Sequence, residues 1–487
     1  MLSDTLPDAR RWMLLVKLLK GWPRSSRDDA INTAIAGLSA WPDALRAPQR
    51  RGRPLWPLIR TMTVKTEAEL REATQTPDLS VRRLILCFPL SAKAAEWVQG
   101  AWPELTALSA YWTEDGARHL TDAGFTGLTE LFGPVIEPAA GQHIARSTSL
   151  SGVHTWALSG QAEKARMILR TWMNGEGLPN LRVLCHAGYL FDDAFLDELA
   201  ASPRGKTLTG LDGVTNEQLS PGGFRRFLQT DGLRLERLRL CLEGWQGHPL
   251  DGMFDAPALQ SLREMQVAVY SQRFWNALMD SPLRSLRVLD LQLGGVGEVG
   301  SYPPGRASAV LGSVETLSVR GDRGMFAGGW LSSPHLAKVK HLSLNAGYLK
   351  DGRVEALMAG PAIAGLETLN LNGNMSSEAV QALAKDERLS SLHTLQVPSA
   401  SLNMMMLNAW LRAPALKSLA YVRVLRLKNA WEPEEKAVLE TLSTSSMLSR
   451  LLDFQVEGTW IQPDNARLLA NAPHLHPDLR ARFRRMS

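Results

Sequence analysis

The chain has 487 residues, of which 45% are hydrophobic and 21% charged, and this composition excludes an intrinsically disordered protein. Its length exceeds the roughly 250–300 residues at which single globular cores stop growing, so the chain forms several domains or a repeat array. The net charge of +5 belongs to two short segments, because residues 46–60 and 479–487 contain nine arginines and no acid. The rest of the chain carries −4, which excludes a uniformly basic protein.

Cysteine usage and hydropathy bear on the cellular compartment. Cys87, Cys185 and Cys241 are widely spaced and odd in number, which is typical of a reducing environment. No stretch reaches the roughly 18 uncharged apolar residues that a bilayer span needs. The N-terminus contains Asp4 and Asp8 and differs from a signal peptide. We therefore expect a cytoplasmic protein without a transmembrane segment.

Residues 1–57 form the first predicted region, a helical cap with a connector rich in proline and arginine. Asp8 is a candidate N-cap for a helix that ends at Lys20, and a second helix is predicted from Ser26 to Leu38. Four prolines between residues 42 and 57 prevent a further long helix. The end of a repeat array exposes apolar surface, and two amphipathic helices are suited to covering it.

A short repeat follows, in which apolar residues take the first, fourth and sixth places and polar residues lie between. Its clearest copies are Val314–Val319, Val339–Leu344, Leu366–Leu371 and Leu392–Val397. The alternation predicts a short strand whose fourth and sixth side chains lie on one face. A unit of this size cannot bury its apolar face alone, so neighbouring copies must stack.

The apolar residue at the fourth place marks sixteen candidate repeats at steps of 22 to 30 residues. The markers are Met62, Leu84, Leu108, Leu131, Trp156, Leu184, Leu211, Leu238, Met265, Leu289, Leu317, Leu342, Leu369, Leu395, Leu425 and Phe454. They place a repeat domain at 58–462, and residues 463–487 then form a C-terminal cap and basic tail.

This pattern resembles the leucine-rich repeat, L-x-x-L-x-L-x-x-N, in the long form of ribonuclease-inhibitor-like proteins. The consensus asparagine is present at Asn216 and Asn374 but is replaced in most copies. The resemblance implies an α/β solenoid, a horseshoe with parallel inner strands and outer helices. Helical spacing at Ala194–Ala200, Ala379–Ala384 and Ala437–Leu442 fits the outer layer.

Two repeats break this rhythm with glycine and proline, at Gly294–Gly305 and, more briefly, at Glu243–Pro249. Irregular loops on a rigid scaffold often carry function, although sequence decay at a tolerant position gives the same pattern.

Signals of catalysis are weak. The common phosphate-loop, zinc-protease and serine-hydrolase motifs are absent from the sequence. His474, His476 and Asp478 have the side chains of a metal site but lie in a tail interrupted by proline. We expect no enzyme activity, no metal and no cofactor, and we expect Cys185 and Cys241 to be too far apart for a disulfide.

Charges on the predicted inner face nearly cancel. The residues before and after each marker that point away from the core include seven basic side chains, Lys65, Arg83, Arg237, Arg239, Arg320, Arg426 and Lys428. They also include six acidic ones, Glu130, Asp212, Glu264, Asp290, Asp453 and Glu457. Nucleic acid is therefore an unfavourable partner for this face, since a polyanion needs a run of one sign. The two arginine-rich segments are better candidates for anions, and solvation of both chain ends explains them as well.

The strongest predicted binding surface covers the repeats at 289–398, where outward places carry amide, hydroxyl and charged groups although Asn and Asp are depleted in strands. We predict that the partner-binding residues are Asp290, Gln292, Arg320, His341, Asn345, Asn370, Asn372 and Gln396. The opposite end, with Arg83, Tyr111 and Phe132, is the rival location.

The resemblance to ribonuclease-inhibitor-like proteins implies a monomeric scaffold that binds a protein partner on its concave sheet face without chemistry. Two regulatory functions stay open. Repeat-built activators of small GTPases would use an inner arginine such as Arg320. Some bacterial effectors of this class act as ubiquitin-ligase adaptors through an N-terminal F-box, and Leu6 and Pro7 open a leucine-rich helix here.

Overall fold

The chain divides into two compact units, Met1–Arg234 and Leu235–Ser487. The computed structural model describes residues 9–48, 55–187, 190–215, 218–241, 245, 252–269, 271–294, 308, 310–321, 328–346, 351–372, 379, 382–383, 385–401, 421–426, 440, 443–445, 448, 453–456, 463–475, 480 and 483–484.

The first unit is a parallel sheet with a helix between most neighbouring strands. Its strands, each hydrogen-bonded to the next in the chain, are β1 (Thr61–Val64), β2 (Arg83–Leu90), β3 (Ala107–Trp112), β4 (Glu130–Pro134), β5 (Thr155–Ser159), β6 (Val183–Ala187) and β7 (Gly210–Thr215). Its helices are α1 (Ala9–Gly21), α2 (Arg27–Gly37), α3 (Glu67–Thr74), α4 (Ala92–Ala101), α5 (Glu114–Asp122), α6 (Pro138–Arg146), α7 (Ala162–Met173), α8 (Asp193–Ala201) and α9 (Pro221–Leu228).

The second unit repeats this plan with fewer helices among its described residues. Its strands are β8 (Arg237–Cys241), β9 (Glu264–Val269), β10 (Val288–Leu293), β11 (Thr316–Gly321), β12 (His341–Ala346), β13 (Thr368–Asn372), β14 (Thr394–Ser401), β15 (Tyr421–Arg426) and β16 (Asp453–Val456), all parallel and in chain order. The helices are α10 (Gln272–Met279), α11 (Asp351–Ala359), α12 (Ala362–Gly365) and α13 (Pro463–Ala470). Several connections use 3₁₀ turns instead, at Met253–Asp255, Pro257–Leu259, Gly328–Ser332, Pro334–Lys338 and Glu387–Ser391.

Most strands whose side chains are described bury the residues at their second and fourth places. In β5 Trp156 and Leu158 are buried while their neighbours are partly exposed, and Leu289 and Leu291 do the same in β10. This pattern follows from the two-residue period of a strand, which sends alternate side chains to opposite faces. We call the face that does not carry the core the open face of the sheet.

Helix caps join neighbouring repeats in the first unit. Thr113 accepts a hydrogen bond from the Gly116 amide at the start of α5 and donates its own hydroxyl to the Leu90 carbonyl of the preceding repeat, at 2.5 Å. Ser220 caps α9 and donates to Asp193 of α8 at 2.5 Å. Capping of this kind satisfies amides that a helix end leaves unpaired, and it also fixes the repeat spacing.

Close approach of the repeats requires glycine at position 116. A Cβ atom there would lie 2.0 Å from the Leu90 oxygen, which is far inside normal contact. Gly116 is therefore selected by packing and not by helix propensity, which disfavours glycine.

Strand register confirms the predicted repeat markers with one exception. In the first unit Met62, Leu84, Leu108, Leu131, Trp156, Leu184 and Leu211 align across the ladder. In the second unit Val422, and not Leu425, pairs with Leu395 on one side and with Phe454 on the other. The marker at Leu425 was wrong because Val422 and Leu425 both fit the apolar alternation of Tyr421–Arg426. The step to Phe454 is longer from Val422 than from Leu425, so the repeat spacing favoured Leu425.

The predicted outer helices have a mixed outcome. Helix α8 covers the predicted Ala194–Ala200, and α1 and α2 lie within the predicted N-terminal region. Half of 379–384, all of 437–442 except residue 440, the loops Gly294–Gly305 and Glu243–Pro249 apart from Gly294 and Trp245, and Asp8 lie outside the described residues. The capping role of residues 1–57, like the boundaries at 58–462 and 463–487, stays a prediction.

Candidate functional site

The eight predicted binding residues lie on five neighbouring strands of the second unit, β10–β14. Register places Asp290, Ser318, Ser343, Asn370 and Gln396 in one row across the open face, and Gln292, Arg320, Asn345 and Asn372 in the next. A third row contains Val288, Thr316, His341, Thr368 and Thr394. We call the polar patch the set Asp290, Gln292, Ser318, Arg320, His341, Ser343, Asn345, Asn370, Asn372 and Gln396.

Asp290 and Arg320 form an ion pair within the polar patch. The Arg320 Nη2 donates to Asp290 Oδ2 at 2.6 Å across β10 and β11. The Asp290 side chain is 20% exposed, whereas Arg320 is 56% exposed. One positive and one negative charge therefore compensate each other, and the guanidinium group still presents donors to solvent.

Asn370 has an incomplete set of hydrogen bonds. Its Nδ2 donates to the Ser343 hydroxyl at 3.3 Å, while its buried Oδ1 has no partner among the residues that the structure describes. A buried acceptor without a partner costs free energy, so an asparagine at this place is not explained by the stability of β13.

His341 is neutral at physiological pH. Burial is the largest influence and lowers the pKa of its imidazole below the ordinary value of 6.5; Glu367 partly opposes it, Lys340 lowers the pKa further, and Glu315 raises it least. A neutral imidazole presents one donor and one acceptor, so His341 matches the amide and hydroxyl groups around it.

The remaining predicted residues are placed by exposure and register. Gln292 and Asn345 are exposed on β10 and β12. Asn372 pairs in register with Asn345, and Gln396 pairs with Asn370. The structure therefore brings all eight predicted residues together on one surface, and their role in binding stays a prediction.

The corrected register also changes the charge balance of the open face. With Val422 as marker, Arg426 and Lys428 no longer take the predicted outward places, and Arg423 does. The basic residues then number six, equal to the six acidic ones. On this count of sequence positions, nucleic acid stays an unfavourable partner in our prediction.

The open face of the first unit has a different, apolar character around the rival residues. Ile85 and Tyr111 are 39% and 42% exposed, and Phe132 is partly exposed beside them. Small Ser109 lies in register between Ile85 and Phe132. Arg83 spans the strand between to reach Glu130 at 2.8 Å, and its guanidinium carbon lies 5.8 Å from the Phe132 ring centroid.

Metal binding, membrane spanning and disulfide bonds were sought in the part of the chain that the structure describes. It contains no group of three or more His, Cys, Asp or Glu side chains able to hold a metal ion, and His476 and Asp478 lie outside it. No helix in the same part has the length and apolarity to cross a membrane. Cys87, Cys185 and Cys241, which all lie in the described part of the chain, form no disulfide there.

A parallel sheet built from one short strand per repeat, with the markers in register, defines the fold as an α/β leucine-rich-repeat solenoid. No protein-family model matches the chain. No curated protein matches it either.

Solved structures with similarity to the chain include three complexes that contain repeat proteins. The mouse RP105/MD-1 complex matches with a TM-score of 0.31 and 12% identity, over 76% of this chain and 72% of that chain. The Arabidopsis receptor kinase HAESA ectodomain with an extended IDA peptide hormone gives 0.30 and 12%, over 81% and 65%. The PEPR1–AtPEP1 structure gives 0.25 and 12%, over 86% and 67%.

Proposed function

We propose that this chain is a non-enzymatic protein-recognition scaffold, of the ribonuclease-inhibitor-like kind, that binds a protein partner on the polar patch. One observation carries the proposal. Five neighbouring strands place amide, hydroxyl, imidazole and guanidinium groups in register on one open face. Asparagine is depleted in strands, so the stability of the sheet does not explain its presence at such places. The buried Oδ1 of Asn370, which has no partner in the described part of the chain, destabilises the strand further.

The chemistry of the polar patch favours a protein surface over a nucleic acid. The Asp290–Arg320 pair is internally compensated, and His341 is neutral, so the patch offers hydrogen bonds without a dominant sign of charge. Protein interfaces of this kind are read through direct and water-mediated hydrogen bonds. A reducing, cytoplasmic location and a monomeric unbound state belong to the same proposal, and the first agrees with three cysteines that form no disulfide among the described residues.

The regulatory alternatives have less support. A GTPase activator would need Arg320 to approach the nucleotide of its partner, but its Nη2 is bonded to Asp290 at 2.6 Å. Leu6 and Pro7, on which the ubiquitin-ligase adaptor rests, lie outside the described residues.

The test begins with a partner identified by affinity purification and mass spectrometry. Calorimetry with that purified partner then compares the wild type with Arg320→Ala and Asn370→Ala. Each substitution should weaken binding by about 1–2 kcal/mol, or roughly 5- to 30-fold, as expected for an interface anchor.

Arg237→Ala is the matched control, because Arg237 forms the same kind of cross-strand ion pair with Glu264 on the open face, outside the polar patch. It should leave the dissociation constant within about threefold, a change of less than 1 kcal/mol. If Tyr111→Ala or Phe132→Ala abolishes binding while the patch variants bind normally, the partner binds the apolar face of the first unit and the proposed site is wrong.

A further inference from the structure

The start of each repeat has a recurrent backbone contact that fixes a second row of side chains. The amides of Arg60 and Thr61 both donate to the Arg46 carbonyl, at 2.9 and 3.1 Å. The amides of Arg82 and Arg83 donate in the same way to the Arg60 carbonyl, both at 2.8 Å. The carbonyls of Arg46 and Arg60 therefore play the same role, with Arg46 in the N-terminal region and Arg60 and Arg82 directly before β1 and β2, neighbouring strands about 4.8 Å apart. We call these three residues the arginine row.

The same position in later repeats shows how unusual the arginine row is. The first unit continues with residues that are never acidic, namely Thr106, Thr129, His154, Arg182 and Thr209. The second unit mixes both signs at this position, with Glu236, Arg263, Arg287, Glu315, Lys340, Glu367 and His393. There Arg287 contacts Glu315, and Lys340 lies 3.7 Å from Glu367. Arg287 and Lys340 thus have acidic partners within the row, whereas Arg46, Arg60 and Arg82 have none at the equivalent position among the described residues.

The positive charge of the arginine row is partly balanced by two acidic residues outside the row, at distances of 3.4 to 4.0 Å. Asp43 lies 3.9 Å from Arg46 and 4.0 Å from Arg82, and Glu104 lies 3.4 Å from Arg82. The Glu104 side chain is 70% exposed, so solvent screens its attraction. Three cations against two weakly placed acids leave a local positive excess.

Backbone carbonyls use only part of the guanidinium donors. Arg46, which is 5% exposed, donates from Nε to Leu58 O at 3.1 Å, and its buried Nη2 has no partner within the described ranges 9–48 and 55–187. Arg60 directs Nη1 at the carbonyls of Pro57, Ile59 and Ser80. These contacts hold both side chains in place without neutralising them.

The electrostatic consequence is mutual repulsion. Burial lowers the pKa of Arg46 to about 10, and the charge of Arg60 contributes to that shift. Burial also lowers the pKa of Arg60, with the charge of Arg82 next in size. A negative group bound beside the row would relieve this repulsion.

We propose that the arginine row is a binding site for a phosphate-type oxyanion, with Arg60 and Arg82 as the contacting residues. Arg46 lies buried behind them and adds its charge. A guanidinium group pairs with phosphate through parallel hydrogen bonds, and two such groups on neighbouring repeats suit an anion with more than one negative charge. This site is separate from the polar patch, and the inference does not depend on the proposed function.

The test measures binding of inorganic pyrophosphate to the full chain by calorimetry, with potassium chloride of equal ionic strength as reference. The wild type should bind pyrophosphate, and Arg82→Gln should bind at least tenfold more weakly. Arg287→Gln is the matched control, because Arg287 has the same backbone position in the second unit and an acidic partner. It should bind as the wild type does.

A gain of binding guards against a variant that merely folds poorly. Glu104→Gln removes the exposed acid nearest Arg82, so it should bind pyrophosphate several-fold more tightly. A second arm with oligothymidylate identifies the source of the phosphate. Tighter binding of pyrophosphate per phosphate indicates a small oligophosphate, and tighter binding of oligothymidylate indicates a nucleic-acid backbone.

Either source supports the site only if Arg82→Gln weakens binding in that arm. The proposal is wrong if neither probe binds the wild type beyond the chloride reference. It is also wrong if Arg82→Gln and Arg287→Gln weaken binding equally, because the effect would then be one of net charge.

Discussion

Replacement of Asn370 by threonine should separate the stability of the second unit from its ability to bind a partner. The side chain lies half-buried in the middle of the polar patch and makes one bond, 3.3 Å long, to Ser343. Threonine removes the buried Oδ1 that has no partner, and its hydroxyl keeps a polar group beside Ser343. We therefore expect Asn370→Thr to be more stable than the wild type and to bind its partner less tightly.

The expected size of the change follows from three contributions. An unpaired buried acceptor costs roughly 1–3 kcal/mol, and the strand preference of threonine over asparagine adds up to about 1 kcal/mol. Loss of the long bond to Ser343 subtracts about 0.5–1.5 kcal/mol, of which the new hydroxyl restores a part. Because Asn370 is only half-buried, the lower ends apply, and the net stabilisation should be about 1 kcal/mol.

Hydrogen exchange measured by mass spectrometry on peptides that cover β13 provides the assay, since it reports local opening in the intact chain. A gain of about 1 kcal/mol slows exchange roughly fivefold. Gln266→Thr on β9 is the control, because Gln266 occupies the same register row but has no buried unpaired atom in the described part of the chain. Faster exchange in Asn370→Thr would mean that the amide serves the fold, and the reason for assigning it to a partner would be lost.

Two further predictions concern packing and pH. Gly116→Ala should destabilise the first unit by about 1–3 kcal/mol, because its Cβ would lie 2.0 Å from Leu90 O. Gly100→Ala is the control in the neighbouring helix, where the added Cβ meets open space, and it should stabilise by about 0.5–1 kcal/mol. Equal shifts of the melting temperature in the two variants would contradict the contact between repeats at Gly116. His341 has a folded pKa below its ordinary 6.5, so the unfolded chain takes up its proton first, and stability should fall as pH drops through 6.5. Urea unfolding at pH 7.5 and 5.5 should show a smaller loss for His341→Gln than for the wild type, and an identical loss would assign the pH dependence to other groups.

The sequence predicts the repeat spacing well because strand alternation and burial act at the same places. At Leu289, Leu317, Leu342 and Leu369 both signals agree, and the ladder aligns these residues. Near Leu425 alternation and burial do not distinguish the two possible registers, because Val422, Val424 and Leu425 are all apolar. Only the pairing of Val422 with Leu395 fixes the register. A register of this kind depends on the neighbouring strands, which one repeat alone does not encode.

The candidate surfaces divide in the same way. Placing Asp290, Arg320 and Asn370 on one face needs only the two-residue period, and the register agrees. The hydrogen-bond partners of these side chains cannot be predicted from that period. Arg320 bonds to a residue on the neighbouring strand, and the Oδ1 of Asn370 has no partner among the described residues.

The arginine row was missed for a related reason. The sequence left the segment 46–60 open between anion binding and solvation, but Arg46 is buried, and Arg82 belongs to the row although it lies outside the segment. A comparison of residues two places before each marker would have aligned Arg60 with Arg82.

Internal partners distinguish polar residues that hold the repeats together from those available to a ligand. Arg166 is buried and bonds Leu190 O at 2.9 Å and Asp192 at 2.7 Å, so its charge is used to join two repeats. Arg170 is similarly bonded to Glu198 by two hydrogen bonds of 2.7 and 2.8 Å, and these contacts explain both residues. The arginine row and Asn370 are not explained in this way, because each contains a buried polar atom without a partner in the described structure. Unpaired polar groups destabilise a fold unless something outside it binds them, so these two places are stronger candidates for ligand contact than Arg166 and Arg170, whose bonds are internal.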